Sequence, residues 1–149
     1  MKLTWLFKSF DELTASELYA IMQLRNEVFV VEQKCVYQDA DDKDQRSWHL
    51  TGWNGACLVA YTRIIPPGIS YTVPSIGRVV TSPKYRKTGI GKKLMEESIS
   101  KAFGQFNTAE IKIGAQVYLT EFYKSLGFLQ SSDLYMEDGI PHIEMTLSK

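Results

Sequence analysis

Apolar and polar positions along this chain follow two periods, and the switches between them outline its elements. Residues 3–7 are a short apolar stretch, read as a first strand. Thr14 and Glu17 stand three apart ahead of a periodic run, a capping box that opens a helix. Behind it Leu18, Ile21, Met22, Arg25, Val28 and Phe29 recur at three- and four-residue spacing, so one stripe is buried. The β-branched run at 28–31 carries past the end of that helix. Residues 48–53 and 56–65 read as strands meeting at Asn54 and Gly55, a strong hairpin signal, and Pro66, Pro67 and Gly68 end the second. Residues 75–81 predict another strand, stopped by Pro83, which has no N–H to give a ladder. Ile90, Leu94, Ile99, Ala102 and Phe103 mark the buried stripe of a second helix, with Glu96, Glu97, Ser100 and Lys101 facing water. Residues 110–115 alternate as a strand. Residues 118–126 are helical, with Leu119, Phe122, Tyr123 and Leu126 on one side and Gly127 just past the end. A further strand begins at Phe128 and Leu129, and Asp138 and Gly139 join 134–136 to 140–147 in a last hairpin.

The densest chemistry lies in residues 75–103, where a β-branched strand feeds a basic, glycine-bearing loop and then an amphipathic helix. Such a junction binds anions, because glycines admit a ligand to the backbone and the first helical turn offers unpaired N–H groups. Arg86, Lys87, Lys92 and Lys93 crowd that helix start. A cation there costs roughly 0.3–1 kcal/mol, and a bound phosphate or pyrophosphate reverses the sign. The other reading is a solvated basic surface. A P-loop fails, since Arg86 and Lys93 occupy its first and last positions; a dinucleotide fingerprint fails at Leu94. A nucleotide-phosphate binder is therefore disfavoured, and what remains is R-x-x-G-x-G over Arg86, Gly89 and Gly91.

Composition narrows the classes. The 149 residues, 44% hydrophobic and 23% charged, suit one globular domain over 1–149, with no repeat or linker. Zero net charge argues against a broad nucleic-acid face. No apolar run reaches the about 20 residues of a membrane span, and the first residues lack a signal peptide's pattern, so we expect no membrane partner and a cytoplasmic protein. Cys35 and Cys57 lack CxxC spacing and read as free thiols. Residues 32–46 are acidic. A calcium loop begun at Asp39 would place Lys43 as a ligand, Asp44 where glycine is needed and Leu50 at the twelfth position, so no metal is expected. The segment is either a solvated loop or an acidic wall that attracts a cationic substrate.

The loop motif at Arg86, Gly89 and Gly91 resembles the coenzyme A-binding motif of the GNAT superfamily of N-acetyltransferases. A second segment agrees with it: Gln116, then Tyr123 seven places on, then Gly127 and Phe128. The family usually has asparagine where Gln116 stands. Residues 24–33, 115–119 and 137–142 are similar to the ElaA-like branch. The resemblance implies an α+β fold, a mixed, twisted, split sheet of about six or seven strands flanked by about four helices, with acetyl-CoA wedged in the split. It implies a pyrophosphate over Arg86, Lys87, Thr88, Gly89, Ile90 and Gly91, and a pantetheine arm along Val79, Val80 and Thr81, near Gln116. The N–H of Val80 or its neighbour Val79 would hold the oxyanion, and Tyr123 would protonate the leaving thiolate; Tyr123 also reads as a core aromatic. Glu32 and His49 are the candidate bases, with Glu137 and His142 behind them, and any of these could instead bind substrate. The implied activity is transfer of an acetyl group from acetyl-CoA to a primary amine, on a small molecule or an exposed protein amine, by direct attack. Alternatives are another acyl-CoA as donor, or a non-catalytic CoA-binding or regulatory domain. The expected partner is a cationic amine; a homodimer through aromatics such as Tyr71 or Tyr135 is open.

Overall fold

The computed structural model of the chain describes residues 2–149. After β1 (Thr4–Ser9), the capping box forms as its spacing demands. Thr14 Oγ1 accepts the Glu17 N–H at 3.1 Å, and the Glu17 carboxylate accepts the Thr14 N–H at 2.8 Å, an arrangement whose loss typically costs about 1 kcal/mol. Helix α1 (Ala15–Arg25) then widens instead of stopping. Asn26–Glu32 is π-helical, with the Gln33 and Cys35 N–H groups donating five residues back to Val28 and Val30, each at 3.1 Å. The β-branched run is thus helical, and its wider winding carries the chain to Glu32 beside the basic loop.

The strands are β2 (Trp48–Asn54), β3 (Cys57–Ile65), β4 (Ser75–Thr81), β5 (Glu110–Gln116), β6 (Leu129–Gln130), β7 (Tyr135–Glu137) and β8 (Ile140–Ser148). They form one 8-stranded sheet ordered β1-β2-β3-β4-β5-β8-β6, with β7 also on β8. Helices α2 (Ile90–Gln105) and α3 (Thr120–Ser125) complete the α+β architecture. The short pieces β6 and β7 bring the strand count to eight, and the π segment continuous with α1 stands in place of an expected fourth helix. The β7–β8 turn is made by Asp138 (φ 51°) and Gly139 (φ 76°), the left-handed pair that a two-residue hairpin loop requires.

Helix α1 buries Ile21 and Leu24, and the π segment buries Val28, against Leu58, Tyr61 and Val80. Helix α2 contributes to two clusters: Ile90 and Leu94 lie with Leu50, Val59 and Ala60, whereas Met95 and Ala102 lie with Ile113, Tyr123, Phe128 and Met145. It therefore joins the first half of the sheet to the second. Its stripe is rotated from the expected one, so Met95 and Ser98 are fully buried and Ile99 and Phe103 only partly. Ser98 is tolerated there because it donates to Leu94 O at 2.7 Å and shares a 2.6 Å bond with Thr62 on β3.

Two irregularities shape the middle of the sheet. Strands β4 and β5 run parallel and share the single register pair Ser75–Lys112, beyond which they part. On the other edge of β4, Tyr61 faces Val80 and Arg63 faces Gly77, so Arg78 and Val79 together oppose Thr62. This is a β-bulge, with Arg78 at φ 48°. Bulges bend a strand and sharpen its twist, which helps β4 turn away from β5.

Candidate active site

A cavity opens where β4 and β5 separate. Ile76, Gly77, Arg78 and Val79 line it from β4, Ile113, Gly114 and Gln116 from β5, and Tyr123 from α3. Tyr123 is 5% exposed and sits edge-on to Phe122 and Phe128, with ring centroids 5.2 and 6.0 Å away. Gly127 fixes the end of its helix: at φ 100° it donates to Lys124 O at 2.9 Å, while the Phe128 N–H reaches Tyr123 O at 3.1 Å. Burial pushes the Tyr123 phenol well above its ordinary value, so it keeps its proton at neutral pH and can act as a donor. Gln116 also lines the cavity and accepts a long 3.5 Å contact from Gln33.

The glycine loop is exposed from Arg86 to Gly89. Lys87 (φ 65°) and Gly89 (φ 80°) are both left-handed, and Thr88 Oγ1 donates to Tyr85 O at 2.5 Å. Gly89 is the N-cap of α2 and has no side chain to cap it, which leaves the first-turn N–H groups open to an anion. Ile90, 7% exposed, anchors the turn in the core beside Leu94. These features fit a pyrophosphate held mainly by the main chain. Arg86 is not free to join them. Its Nη1 and Nη2 donate to Glu32 Oε2 and Oε1 at 2.9 and 2.6 Å, a two-pronged pair at the surface. The hydrogen bond from Arg86 foremost holds the Glu32 carboxyl below its ordinary range. Glu32 is therefore a latch on the loop and not a free base.

His49 also falls away as a base. It is fully buried on β2, a strand paired on both edges. Its Nε2 lies 2.9 Å from Asp44 O and its Nδ1 2.7 Å from Tyr61 Oη. A carbonyl only accepts, so Nε2–H donates to it and Nδ1 accepts a hydrogen bond from the Tyr61 hydroxyl. Burial pushes its pKa down further. It has no lone pair to offer and does not line the cavity.

The acidic segment is not a lure for cations. Arg25 Nε reaches Asp39 at 2.7 Å and its Nη1 reaches Asp44 at 2.7 Å. Arg63 bonds Asp41 at 2.7 Å and Asp44 at 2.9 Å. Arg78 Nη2 donates to Asp39 O at 3.0 Å, and its Nε lies 2.8 Å from Asp39 Oδ1, close in charge but poorly aligned as a hydrogen bond. Three arginines thus neutralise three aspartates. Burial pushes the Asp44 carboxyl up, but Arg25 and Arg63 more than offset it and hold it below the ordinary range. The network clamps residues 33–46 onto the sheet, and Gln33, Cys35 and Tyr37 of that segment form a wall of the cavity.

His142, by contrast, is brought to the cleft. It is the third residue of β8, is 6% exposed and lines the same cavity as Tyr123. Its Nδ1 lies 2.7 Å from Ile140 O, its Nε2 lies 3.5 Å from Glu137 Oε2, and its ring stacks on Tyr135 at 5.8 Å. A wider recess adjoins, lined by Tyr37, Tyr71, Tyr135, Asp41, Glu137 and Asp138 among others. Gly114 lies between the two spaces, and a Cβ there would sit 2.9 Å from Tyr135 Oη. Among the described residues no group of three His, Cys, Asp or Glu is arranged to hold a metal ion. None of the described helices is long and apolar enough to cross a membrane.

The family model described as an acetyltransferase (GNAT) domain matches residues 14–149. A UPF0039 protein of Synechocystis is 42% identical over 146 residues, covering 97% of this chain and 95% of that protein. A crystal structure of an acyl-CoA N-acyltransferase from Pseudomonas aeruginosa superposes with a TM-score of 0.94 at 40% identity, covering 99% of this chain and 100% of the other. Escherichia coli ElaA gives 0.93 at 38% identity, with the same coverage of 99% and 100%. By sequence and fold, then, the chain whose sheet splits between β4 and β5 belongs to the GNAT acetyltransferase family, in the company of ElaA.

Proposed function

We propose that the protein is an acyl-CoA-dependent N-acyltransferase that moves an acetyl group from acetyl-CoA to a primary amine. The observation that carries this reading is the unpaired edge of β4 facing Tyr123 across one cavity, with the exposed loop 86–89 beyond it. The free edge offers main-chain groups to the amide-bearing pantetheine arm, much as a neighbouring strand would. The loop N–H groups of Lys87, Gly89 and Gly91 take the pyrophosphate, and Thr88 and Ile90 shape the turn. Val79 lines the cavity while the Val80 side chain is buried under α1, so the Val79 N–H, or that of Val80 next to it, is the donor to the oxyanion. One such donor is typically worth about 3–4 kcal/mol of barrier. Thr81 continues the edge towards the loop, and Gln116 borders it from β5. Tyr123 gives the departing sulfur its proton.

The cavity measures about 100 Å³, a small space that suits a short acyl group. The adjoining recess carries both signs, with Asp41, Glu137 and Asp138 beside Lys43, Arg63 and Arg78. The Tyr37 and Tyr71 rings already face Arg78 and Lys112 at 6.0 and 5.4 Å, so the support for a cationic acceptor is Glu137 and Asp138 alone. The test is acetyl-CoA consumption over a panel of amines, with Tyr123→Phe alongside. Wild type should turn over at least one amine, and Tyr123→Phe should lose about 10²–10⁴-fold in kcat with little change in KM for acetyl-CoA. A thermal shift with ATP but none with acetyl-CoA would sink the proposal. Binding of acetyl-CoA without turnover of any amine would favour the non-catalytic reading.

A further inference from the structure

We infer that His142 is the base that removes the acceptor's proton and that Glu137 is its relay to solvent; this rests on the N-acyltransferase reading above. Three observations carry it. The first is position: His142 and Tyr123 line one cavity, and Glu137 lines both that cavity and the wider recess. Glu137 stands at the junction of the two spaces, and His142, which lines the first cavity alone, meets the acceptor amine once it has passed from the recess to the acyl carbonyl.

The second is the tautomer. His142 Nδ1 lies 2.7 Å from Ile140 O, and a carbonyl oxygen can only accept, so Nδ1 carries the hydrogen. In the neutral ring the lone pair then belongs to Nε2, the nitrogen on the Glu137 side at 3.5 Å. Ile140 is two residues along the same strand, so the backbone itself sets this choice. Stacking on Tyr135 at 5.8 Å and pairing of His142 with Gln116 and Tyr135 in the sheet fix the ring. His49 has the opposite arrangement, with both nitrogens committed inside the core.

The third is chemical fit. An alkylamine ionises near 10.4 and a solvated carboxylate near 4.3, whereas an ordinary imidazole ionises near 6.5; a base near the working pH is the effective one. Glu137 is largely exposed and suits the outer station of a relay. The other polar groups that line the cavity with His142 are Asp138 from the turn, Gln116 from β5, Tyr123 from α3, Arg78 from β4, and Gln33, Cys35 and Tyr37 from the clamped segment, while Tyr135 from β7 stacks on the ring. The Cys35 thiol is itself tied to Asp138 O at 3.1 Å.

Atoms and charges balance across the step. An acceptor that arrives as R–NH₃⁺ first gives one proton to solvent. The amine lone pair forms the N–C bond as the carbonyl π pair moves onto oxygen, held by the β4 N–H. His142 Nε2 takes one proton from that nitrogen. The C–S bond breaks as the C=O reforms, and Tyr123 gives its phenolic proton to the sulfur. The imidazolium proton leaves by Glu137 to water and the phenolate regains one from water, so the protein ends as it began, with one amide and one free thiol formed.

Two substitutions separate the base from the scaffold. His142→Asn places an amide N–H near the Nδ1 position and keeps the bond to Ile140; His142→Gln reaches the Nε2 position without a basic nitrogen. With acetyl-CoA and cadaverine, both should lower kcat/KM by about 10²–10⁴-fold, and of the two pH limbs expected of wild type only that of the amine's own ionisation, near 10.4, should remain. Acetyl-CoA affinity and Tm should hold in at least His142→Asn. Glu137→Gln should lose roughly tenfold, recovered in Glu137→Asp. A second limb below that of the amine, persisting in both His142 variants, overturns the inference. Independently of turnover, ¹H–¹⁵N long-range NMR of the protein above pH 8 should show Nδ1 of His142 protonated and Nε2 bare; the reverse tautomer also overturns it. Absence of turnover with cadaverine and every other amine tried counts against the N-acyltransferase reading itself, and the tautomer is then decided by the NMR alone.

Discussion

Arg25 gives the sharpest test of how the site is held. It lies on the buried stripe of α1 with 0% exposure, where a hydrophobic residue would ordinarily sit. Its guanidinium makes three bonds into the clamped segment: to Asp39 Oδ2 at 2.7 Å, to Asp44 Oδ1 at 2.7 Å and to Asp39 O at 3.2 Å. Arg25→Met keeps length and apolar volume but strands two nearly buried carboxylates. Removing one member of a buried pair costs about 3–5 kcal/mol. Asp39 keeps Arg78 and Asp44 keeps Arg63, so the low end, about 3 kcal/mol, is expected. For a chain of this size that corresponds to roughly 6–12 °C in Tm. Urea unfolding followed by tryptophan fluorescence and circular dichroism measures it. Adding Asp44→Asn should recover part of the loss, because the second change removes a stranded charge. The acid dependence has a definite sign. The Asp44 and Asp41 carboxyls are depressed in the fold: burial raises them, but Arg25 and Arg63 for Asp44, and Arg63 for Asp41, outweigh it. Their stabilisation is present above the unfolded value near 3.9 and disappears as pH falls through the depressed folded values. Wild type should therefore lose stability below about pH 4, and the gap to Arg25→Met should narrow there. A loss under about 1 kcal/mol at neutral pH, with no narrowing in acid, would refute the clamp.

Two further expectations concern the loop and the recess. Glu32→Gln releases Arg86 from a half-exposed pair worth about 0.2–1 kcal/mol, so acetyl-CoA should bind up to about fivefold tighter at low salt, with the gain shrinking in high salt; calorimetry that finds weaker or equal binding rejects the latch. Gly114→Ala puts a Cβ 2.9 Å from Tyr135 Oη, so the tyrosine must swing while the backbone stays; turnover should fall by up to about 10²-fold with Tm nearly unchanged, and intact turnover would show that Tyr135 has no part in placing the acceptor.

Features set by neighbours in sequence are legible in the order of residues alone. The Thr14–Glu17 box, the Gly127 end of α3 and the Asp138–Gly139 turn each depend on residues a few positions apart. The glycine loop and Tyr123 are also legible, because their spacing is itself the signal. Pairings across the fold are not. His49 and His142 look alike as histidines on strands, and each is paired on both edges; only the fold shows that the His49 ring is committed inside the core while His142 borders the cleft. The Glu32–Arg86 pair spans 54 positions and the Arg78–Asp39 contact 39. Arg25 at an apolar stripe position, followed by Asp39, Asp41 and Asp44, is the one hint in the chain that the acidic segment is neutralised. The bulge at Arg78 and Val79 leaves no local mark, since a two-to-one register depends on both strands.

The parting of β4 from β5 has a consequence for solubility. In strand order β4 is central, yet beyond Ser75 it carries the unsatisfied backbone of an edge strand. Free edges recruit foreign strands and seed aggregation unless they are kinked or covered. Here the bulge kinks the edge, and the segment with Gln33, Cys35 and Tyr37 covers the approach. The arginine–aspartate clamp thus guards an adhesive surface as well as a pocket. Variants that loosen it should clump before they fully unfold, and a ligand lying along that edge would suppress the clumping by occupying the backbone groups a second molecule would otherwise claim.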